Sequence, residues 1–233
     1  MLVVGAGIIG MASAFHAKRE DPDAKVVVVD RNAACAQGNT ARSAALVRNT
    51  FTSSTNLALA DSSIDYYTHL TAERREQIEL RLYGYLWLMD GAGRDANRDA
   101  VEQMRHHGVE VEEYGEDELR TIPGLRTRVT ADEEGRLLGL RDIEYGLFGA
   151  KCGAVEPDLL TQVYERDFRA AGGVTVYNTP VDGLLMEPKE GPMGIPGEPY
   201  TWQSPRVAGA RTAGGTIRAR KTLVAAGAWL RTL

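Results

Sequence analysis

The chain has 233 residues, of which 43% are hydrophobic and 25% are charged, and its net charge is −5. This composition is typical of a globular protein of one large or two small domains, and its acidic balance argues against a nucleic-acid-binding surface. Two cysteines and four histidines show neither a disulfide framework nor metal-ligand spacing, and no apolar run could span a bilayer or serve as a signal peptide, so a cytoplasmic location is expected.

The first thirty residues carry the most informative pattern of the chain. A short apolar run at residues 2–4 leads into G-x-G-x-x-G at residues 5–10, and a helical pattern follows. A second apolar run at residues 26–29 then ends in Asp30. The order strand, glycine turn, helix, strand and acid predicts a βαβ unit that binds a dinucleotide.

Each position of this pattern has a physical role. Gly5 would allow the tight turn, Gly7 would let a diphosphate approach the backbone, and Gly10 would let the helix pack against the sheet. The free N–H groups and positive dipole of the helix would face the phosphates. Asp30, about 20 residues further on, would accept hydrogen bonds from ribose hydroxyls. The alternative is a glycine-rich turn in another kind of α/β protein.

Small residues dominate the segment from Gly38 to Arg48, which suggests a close approach to a flat or bulky partner. Asn39 or Thr40 could cap a helix there. Burial of Arg42 and Arg48 without a partner would be costly. Both could be surface charges, but their small-residue context favours contact with a ligand.

Periodicity and breakers predict the remaining elements. Helices are expected over 56–81, 94–107, 116–121 and 159–171, and strands over 83–89, 109–111 and 174–177. The glycine-rich segment 136–150 should form sheet, and the proline-rich segment 186–205 should belong to a long hairpin. The chain then closes with a strand from residue 220 that runs into a turn at Ala226 and Gly227.

Three motifs follow each other along the chain, at residues 3–10 with Asp30 and Arg31, at 38–48, and at 222–229. In this order they resemble the D-amino-acid-oxidase-like (DAO) family of FAD-dependent oxidoreductases, and the resemblance covers essentially the whole chain. The group includes glycine oxidase, sarcosine oxidase and dimethylglycine dehydrogenase. The second motif and the residues after it are most similar to the β subunit of heterotetrameric sarcosine oxidase.

The resemblance implies an α/β fold, with an interrupted Rossmann-like FAD-binding domain and an incomplete mixed-sheet substrate domain. The FAD-binding domain is expected at 1–81, 151–185 and 220–233, the substrate domain at 82–150, and a hairpin excursion at 186–219. Family members usually continue for a further hundred or more residues. We therefore expect an incomplete chain whose catalytic residues lie beyond Leu233.

The resemblance also assigns residues to the cofactor, which we expect to be non-covalent FAD because no histidine lies in the 38–48 motif. The diphosphate would contact Gly5, Gly7, Ile8, Ile9 and Gly10, and the diphosphate together with the flavin edge would contact Thr40, Ala41, Arg42 and Ser43. The ribose would contact Asp30 and Arg31, and the adenine would contact Val181. The ribityl-phosphate chain would contact Ala226, Gly227 and Trp229. Arg48 matches a position that faces the substrate carboxylate.

The implied activity is oxidation of an amine or amino acid, such as sarcosine, proline or a glycine derivative, by hydride transfer to flavin N5. Electrons would pass to O2 or to an acceptor protein, and the protein could form a homo- or hetero-oligomer. Three alternatives stay open. They are the same fold acting on a 2-hydroxy acid or glycerol phosphate, an NAD-dependent dehydrogenase, and a non-catalytic FAD-binding assembly factor or inactive fragment.

Overall fold

The computed structural model describes residues 1–190 and 203–232, which fall into two compact units. The first unit comprises Met1–Ala44 with the described part of Glu156–Leu233, and the second comprises Ala45–Val155. These limits differ from the predicted domain limits at 81/82 and 150/151. The predicted limits divide the chain by cofactor and substrate binding, and that division stays a prediction. The second unit begins early because residues 46–47 pair with residues 153–154.

The elements are numbered along the described chain. The strands are β1 (Leu2–Val4), β2 (Val27–Val29), β3 (Leu46–Val47), β4 (Tyr85–Met89), β5 (Val111–Gly115), β6 (Tyr145–Gly149), β7 (Gly153–Ala154), β8 (Val174–Val176), β9 (Val181–Pro188), β10 (Pro205–Thr212), β11 (Gly215–Arg218) and β12 (Thr222–Val224). The α-helices are α1 (Ile8–Glu20), α2 (Ser54–Ala72), α3 (Gly91–His106), α4 (Glu116–Leu119), α5 (Glu133–Leu137) and α6 (Pro157–Ala170), and 3-10 helices lie at Val129–Ala131 and Gly227–Thr232.

A four-stranded parallel sheet in the order β12-β1-β2-β8 forms the centre of the first unit. Its strands are apolar runs, and β1 in the middle is buried along its whole length, as expected for a parallel sheet covered by helices. The carboxyl ends of β12, β1 and β2 therefore lie side by side. Ligands of open α/β sheets bind at this edge.

Helices α1 and α6 pack against each other beside this sheet. The ring of Phe15 on α1 lies 5.6 Å from that of Tyr164 on α6, measured between centroids. Phe168 is fully buried, and its ring fills the space that a side chain at Gly173 would need. Helix α6 begins with Pro157 in its first turn, two residues before the predicted start, at a position where the missing N–H of proline costs no hydrogen bond.

Strands β9, β10 and β11 form an antiparallel meander in the same unit. Glu187 on β9 links the other two strands, with its carboxylate 2.6 Å from the Arg218 guanidinium on β11 and 3.7 Å from that of Arg206 on β10. The predicted hairpin is thus present, although β9 begins already at Val181. Its segment at residues 191–202 lies outside the described residues.

The second unit contains an antiparallel sheet in the order β4-β6-β5 and the two-stranded pair β3-β7. Its apolar core draws on α2, α3 and the larger sheet. The buried members of this core are Leu57, Val101, Met104, Val109, Tyr145 and Leu147.

Most predicted elements differ from the observed ones by a few residues at their ends, and three predictions failed more substantially. Helix α2 ends at Ala72 instead of residue 81, because Arg75 and Glu79 adopt left-handed backbone with φ of 55° and 49°. Only Tyr145–Gly149 of the predicted sheet at 136–150 is a strand, and α5 precedes it. Segment 38–48 forms turns before the short β3, so neither Asn39 nor Thr40 begins a helix within this segment.

Within residues 1–190 and 203–232, none of the helices combines the length and the apolar character needed to cross a bilayer.

We expect Phe168→Ala to lower the free energy of unfolding by about 3–5 kcal/mol, because it opens a cavity between α6 and the sheet. Val174→Ala is the control, since Val174 on β8 is 51% exposed, and it should change stability by no more than about 0.5 kcal/mol. Urea denaturation measures both values, and equal effects of the two substitutions would contradict this view of the core.

Candidate dinucleotide site

The turn between β1 and α1 depends on two glycines. Gly5 has a left-handed φ of 108°, and a Cβ there would overlap the backbone carbonyl oxygen of Ala225, at the end of β12. A Cβ at Gly10 would overlap the carbonyl oxygen of Gly5. Any side chain at either position would therefore push α1 or the end of β12 away from the turn.

Gly7 ends this turn and precedes the first residue of α1 in extended backbone, with φ of −74° and ψ of 179°. The first-turn N–H groups of a helix have no partner within the helix. The Ile8 N–H donates to the Thr40 hydroxyl at 3.1 Å, and that hydroxyl lies 3.0 Å from the position of a Cβ at Gly7. The Thr40 hydroxyl oxygen thus already binds an N–H group at the start of α1. The side chain of the next residue, Ile9, is exposed.

Asp30 follows β2 and directs its carboxylate toward the glycine turn. One oxygen accepts from the Ala6 N–H at 2.7 Å, and the other accepts from the Asn32 N–H at 2.8 Å. Because each carboxylate oxygen has two lone pairs, both retain capacity for a further donor such as a sugar hydroxyl. The acid predicted to bind the ribose is therefore fixed beside the predicted phosphate-binding turn.

The segment after β12 reaches the same edge of the sheet. The Ala225 N–H donates to the Val4 carbonyl at 2.8 Å, which extends the pairing of β12 with β1 by one residue. Ala226 and Gly227 follow, and the Trp229 ring lies 4.0 Å from the Arg31 guanidinium carbon. The third motif of the sequence is thus brought to the first.

The other predicted cofactor residues are placed less uniformly. Thr40 contacts the start of α1, and Ala41, Arg42 and Ser43 form the next, exposed turn, where the Ser43 hydroxyl donates to the Thr40 carbonyl at 2.8 Å. Val181 begins β9 and packs against the apolar cluster of the sheet. Its backbone contact with adenine stays a prediction.

Arg48 lies in the second unit, directly after β3. Its side chain is exposed, and its guanidinium carbon lies 4.8 Å from the centroid of the Phe51 ring. Among the described ion pairs none involves Arg48, so its charge is available to a ligand. Stacking on an aromatic face leaves the N–H donors at the edge of the guanidinium free for a carboxylate.

Sequence reasoning missed several partners of these residues. The Ala6 and Asn32 amides hold Asp30, and Phe51 supports Arg48. Only the Asn32 contact has a local signal, because an aspartate commonly accepts a hydrogen bond from the backbone two residues on. The Phe51 contact crosses a turn and has no comparable signal.

Cys35 lies in the loop after Asp30 and is buried. Burial and the neighbouring Glu165 carboxylate raise the pKa of its thiol to about 12. Since the thiolate is the reactive form, Cys35 is unreactive at neutral pH.

A family model described as FAD-dependent oxidoreductase, DAO, matches residues 1–233. The chain belongs to this family. The match confirms the resemblance predicted from the three motifs and the prediction of FAD as the cofactor. The predicted α/β fold class is confirmed by the sheets and helices described above. No curated protein matches the chain at a significant level.

Several solved structures share this DAO fold. The chain superposes on L-proline dehydrogenase from P. horikoshii with a TM-score of 0.73 and 20% identity, covering 98% of this chain and 52% of that one. Glycine oxidase from Geobacillus kaustophilus superposes with a TM-score of 0.72 and 22% identity, covering 100% of this chain and 56% of that one. NikD, an amino acid oxidase essential for nikkomycin biosynthesis, superposes with a TM-score of 0.69 and 19% identity, covering 100% of this chain and 52% of that one. The chain spans about half the length of these structures.

The residues at the β1–α1 turn of this DAO protein suit FAD. Gly5 and Gly10 allow the tight packing of the turn, and Gly7 has no side chain where a diphosphate would have to approach the backbone. Helix α1 directs its positive end to the same place, and Asp30 offers a carboxylate beside it. These donors and acceptors match a diphosphate next to a ribose.

We expect Gly10→Ala to lower the affinity for FAD by at least about tenfold, equivalent to about 1.4 kcal/mol, because the new methyl group displaces α1 from the turn. Gly214→Ala is the control, since a Cβ there meets no atom closer than 3.8 Å and the residue lies in the β10–β11 turn. Titration of the apoprotein with FAD, followed by flavin fluorescence, gives both affinities. Equal affinities of the two variants would refute the role assigned to the close packing at Gly10.

Proposed function

We propose that this protein oxidises an amine or amino acid that carries a carboxylate, with non-covalent FAD as its cofactor. The proposal rests chiefly on Arg48, an exposed guanidinium supported by Phe51 and without an acidic partner among the described ion pairs. Further support comes from the structural relatives, whose names refer to proline, glycine and an amino acid oxidase.

The first unit would bind the cofactor through its backbone. Gly7 has no side chain at the start of α1, Gly10 lets α1 pack closely against the turn, and the first-turn N–H groups of α1 would neutralise part of the diphosphate charge. Asp30 would accept the ribose hydroxyls. When bound, FAD would supply the hydride acceptor, flavin N5, for the substrate C–H bond beside nitrogen.

The second unit would bind the substrate through a side chain. A guanidinium forms two parallel hydrogen bonds with a carboxylate, which fixes both the position and the orientation of the bound acid. Phe51 limits the rotation of the Arg48 side chain, so the clamp is partly organised before substrate arrives. The reduced cofactor would pass its electrons to O2 or to an acceptor protein.

A carboxylate clamp recognises 2-hydroxy acids as well as amino acids, so the substrate class is tested directly. We expect sarcosine, proline or a glycine derivative to bleach the visible absorbance of the bound flavin under anaerobic conditions, whereas lactate and glycerol 3-phosphate leave it unchanged. Reduction by lactate or glycerol 3-phosphate alone would replace the proposal with the hydroxy-acid reading. Flavin that no substrate reduces would favour a non-catalytic FAD-binding protein.

We expect Arg48→Met to lower the second-order rate constant of flavin reduction by about 10- to 100-fold, because a charged hydrogen-bonded pair is lost. Arg136→Met, on the exposed side of α5, is the matched control and should have no effect. Stopped-flow measurements with a carboxylate substrate and with an amine that lacks the carboxylate separate the two groups. The clamp assignment fails if Arg48→Met slows both substrates equally.

A further inference from the structure

Arg31 and Trp229 form a contact that joins two strand ends in the first unit. Arg31 follows Asp30 at the end of β2, and Trp229 lies in the 3-10 helix after β12. The guanidinium carbon is 4.0 Å from the indole ring, well within the roughly 6 Å limit of a cation–π contact. We call this pair the Arg31–Trp229 stack.

The stack crosses the strand that carries the glycine turn. In the sheet, β1 lies between β12 and β2. Because neighbouring strands are about 4.8 Å apart, the stack spans about 10 Å across the carboxyl end of β1. A diphosphate held by the β1–α1 turn would therefore lie next to it.

The indole of Trp229 is half-buried and lies beside Gly38. The backbone N–H of Trp229 donates to the Ala226 carbonyl at 3.1 Å. An atom of the indole ring lies 3.8 Å from the position that a Cβ at Gly38 would occupy. The guanidinium is exposed, and the described ion pairs give it no carboxylate. The arrangement is thus a half-buried ring that carries a cation whose charge is not neutralised by a described acid.

We propose that the Arg31–Trp229 stack acts as one unit that retains the cofactor. Arg31 donates from the edge of its guanidinium to the diphosphate, and Trp229 is a positioning residue that acts through Arg31. A guanidinium stacked by its face keeps its edge donors free and loses less freedom on binding than an unsupported side chain. The inference rests on FAD as the cofactor, and it is independent of the proposed substrate.

A double-mutant cycle tests this coupling, with apoprotein titrated by FAD and followed by flavin fluorescence. The variants are Arg31→Met, Trp229→Leu, the double variant and Trp229→Phe. We expect each of the first two to lower the affinity by about tenfold and the double variant to lower it no further, because residues that act as a unit are not additive. Trp229→Phe retains an aromatic face and should retain most of the affinity.

Two controls separate this role from a general effect on folding. Arg220→Met removes an exposed arginine just before β12 and should leave the affinity unchanged. The melting temperature of each apoprotein shows whether Trp229→Leu destabilises the fold itself. Additive losses in the cycle, or an unchanged affinity of Trp229→Leu, would overturn the proposal. Titration of the unmodified protein reports separately whether FAD binds, so failure of the cofactor assignment is distinguishable.

Discussion

The close packing of three backbone segments is the constraint on which the first unit depends. Gly5, Gly10 and Ala225 approach so closely that two of the three can carry no side chain. This approach fixes where α1 begins relative to β1, and it also fixes the end of β12. Residues 226–229 are thereby brought to the same edge as Asp30, although they are distant in sequence. The candidate site is thus a consequence of missing Cβ atoms.

The sequence predicted best those features that have a local cause. The βαβ unit and Asp30 depend on local signals, namely glycine spacing and apolar runs. The true end of α2 was missed, because the left-handed backbone at Arg75 and Glu79 has no glycine or asparagine to mark it. Local propensity alone favours continuing the helix there.

Contacts between distant segments could not be predicted from the sequence. The Arg31–Trp229 stack joins residues almost two hundred positions apart, and only the strand order brings them together. The family resemblance placed both residues near the cofactor, yet it gave no reason for them to touch. The support of Arg48 by Phe51 is nearer in sequence, but it depends on the turn after β3.

The two proposed sites also differ in kind, since one uses mainly backbone groups and the other a side chain. Binding of the proposed substrate therefore depends on one guanidinium, whereas binding of the cofactor is shared among several groups.

The two buried cysteines have a practical consequence for spectroscopy. Cys152 is fully buried and Cys35 nearly so, and the raised pKa of Cys35 keeps its thiol protonated at neutral pH. A maleimide or spin-label reagent consumes thiolates that it can reach. A single cysteine introduced at an exposed position should therefore take up the label selectively, with both native cysteines left in place.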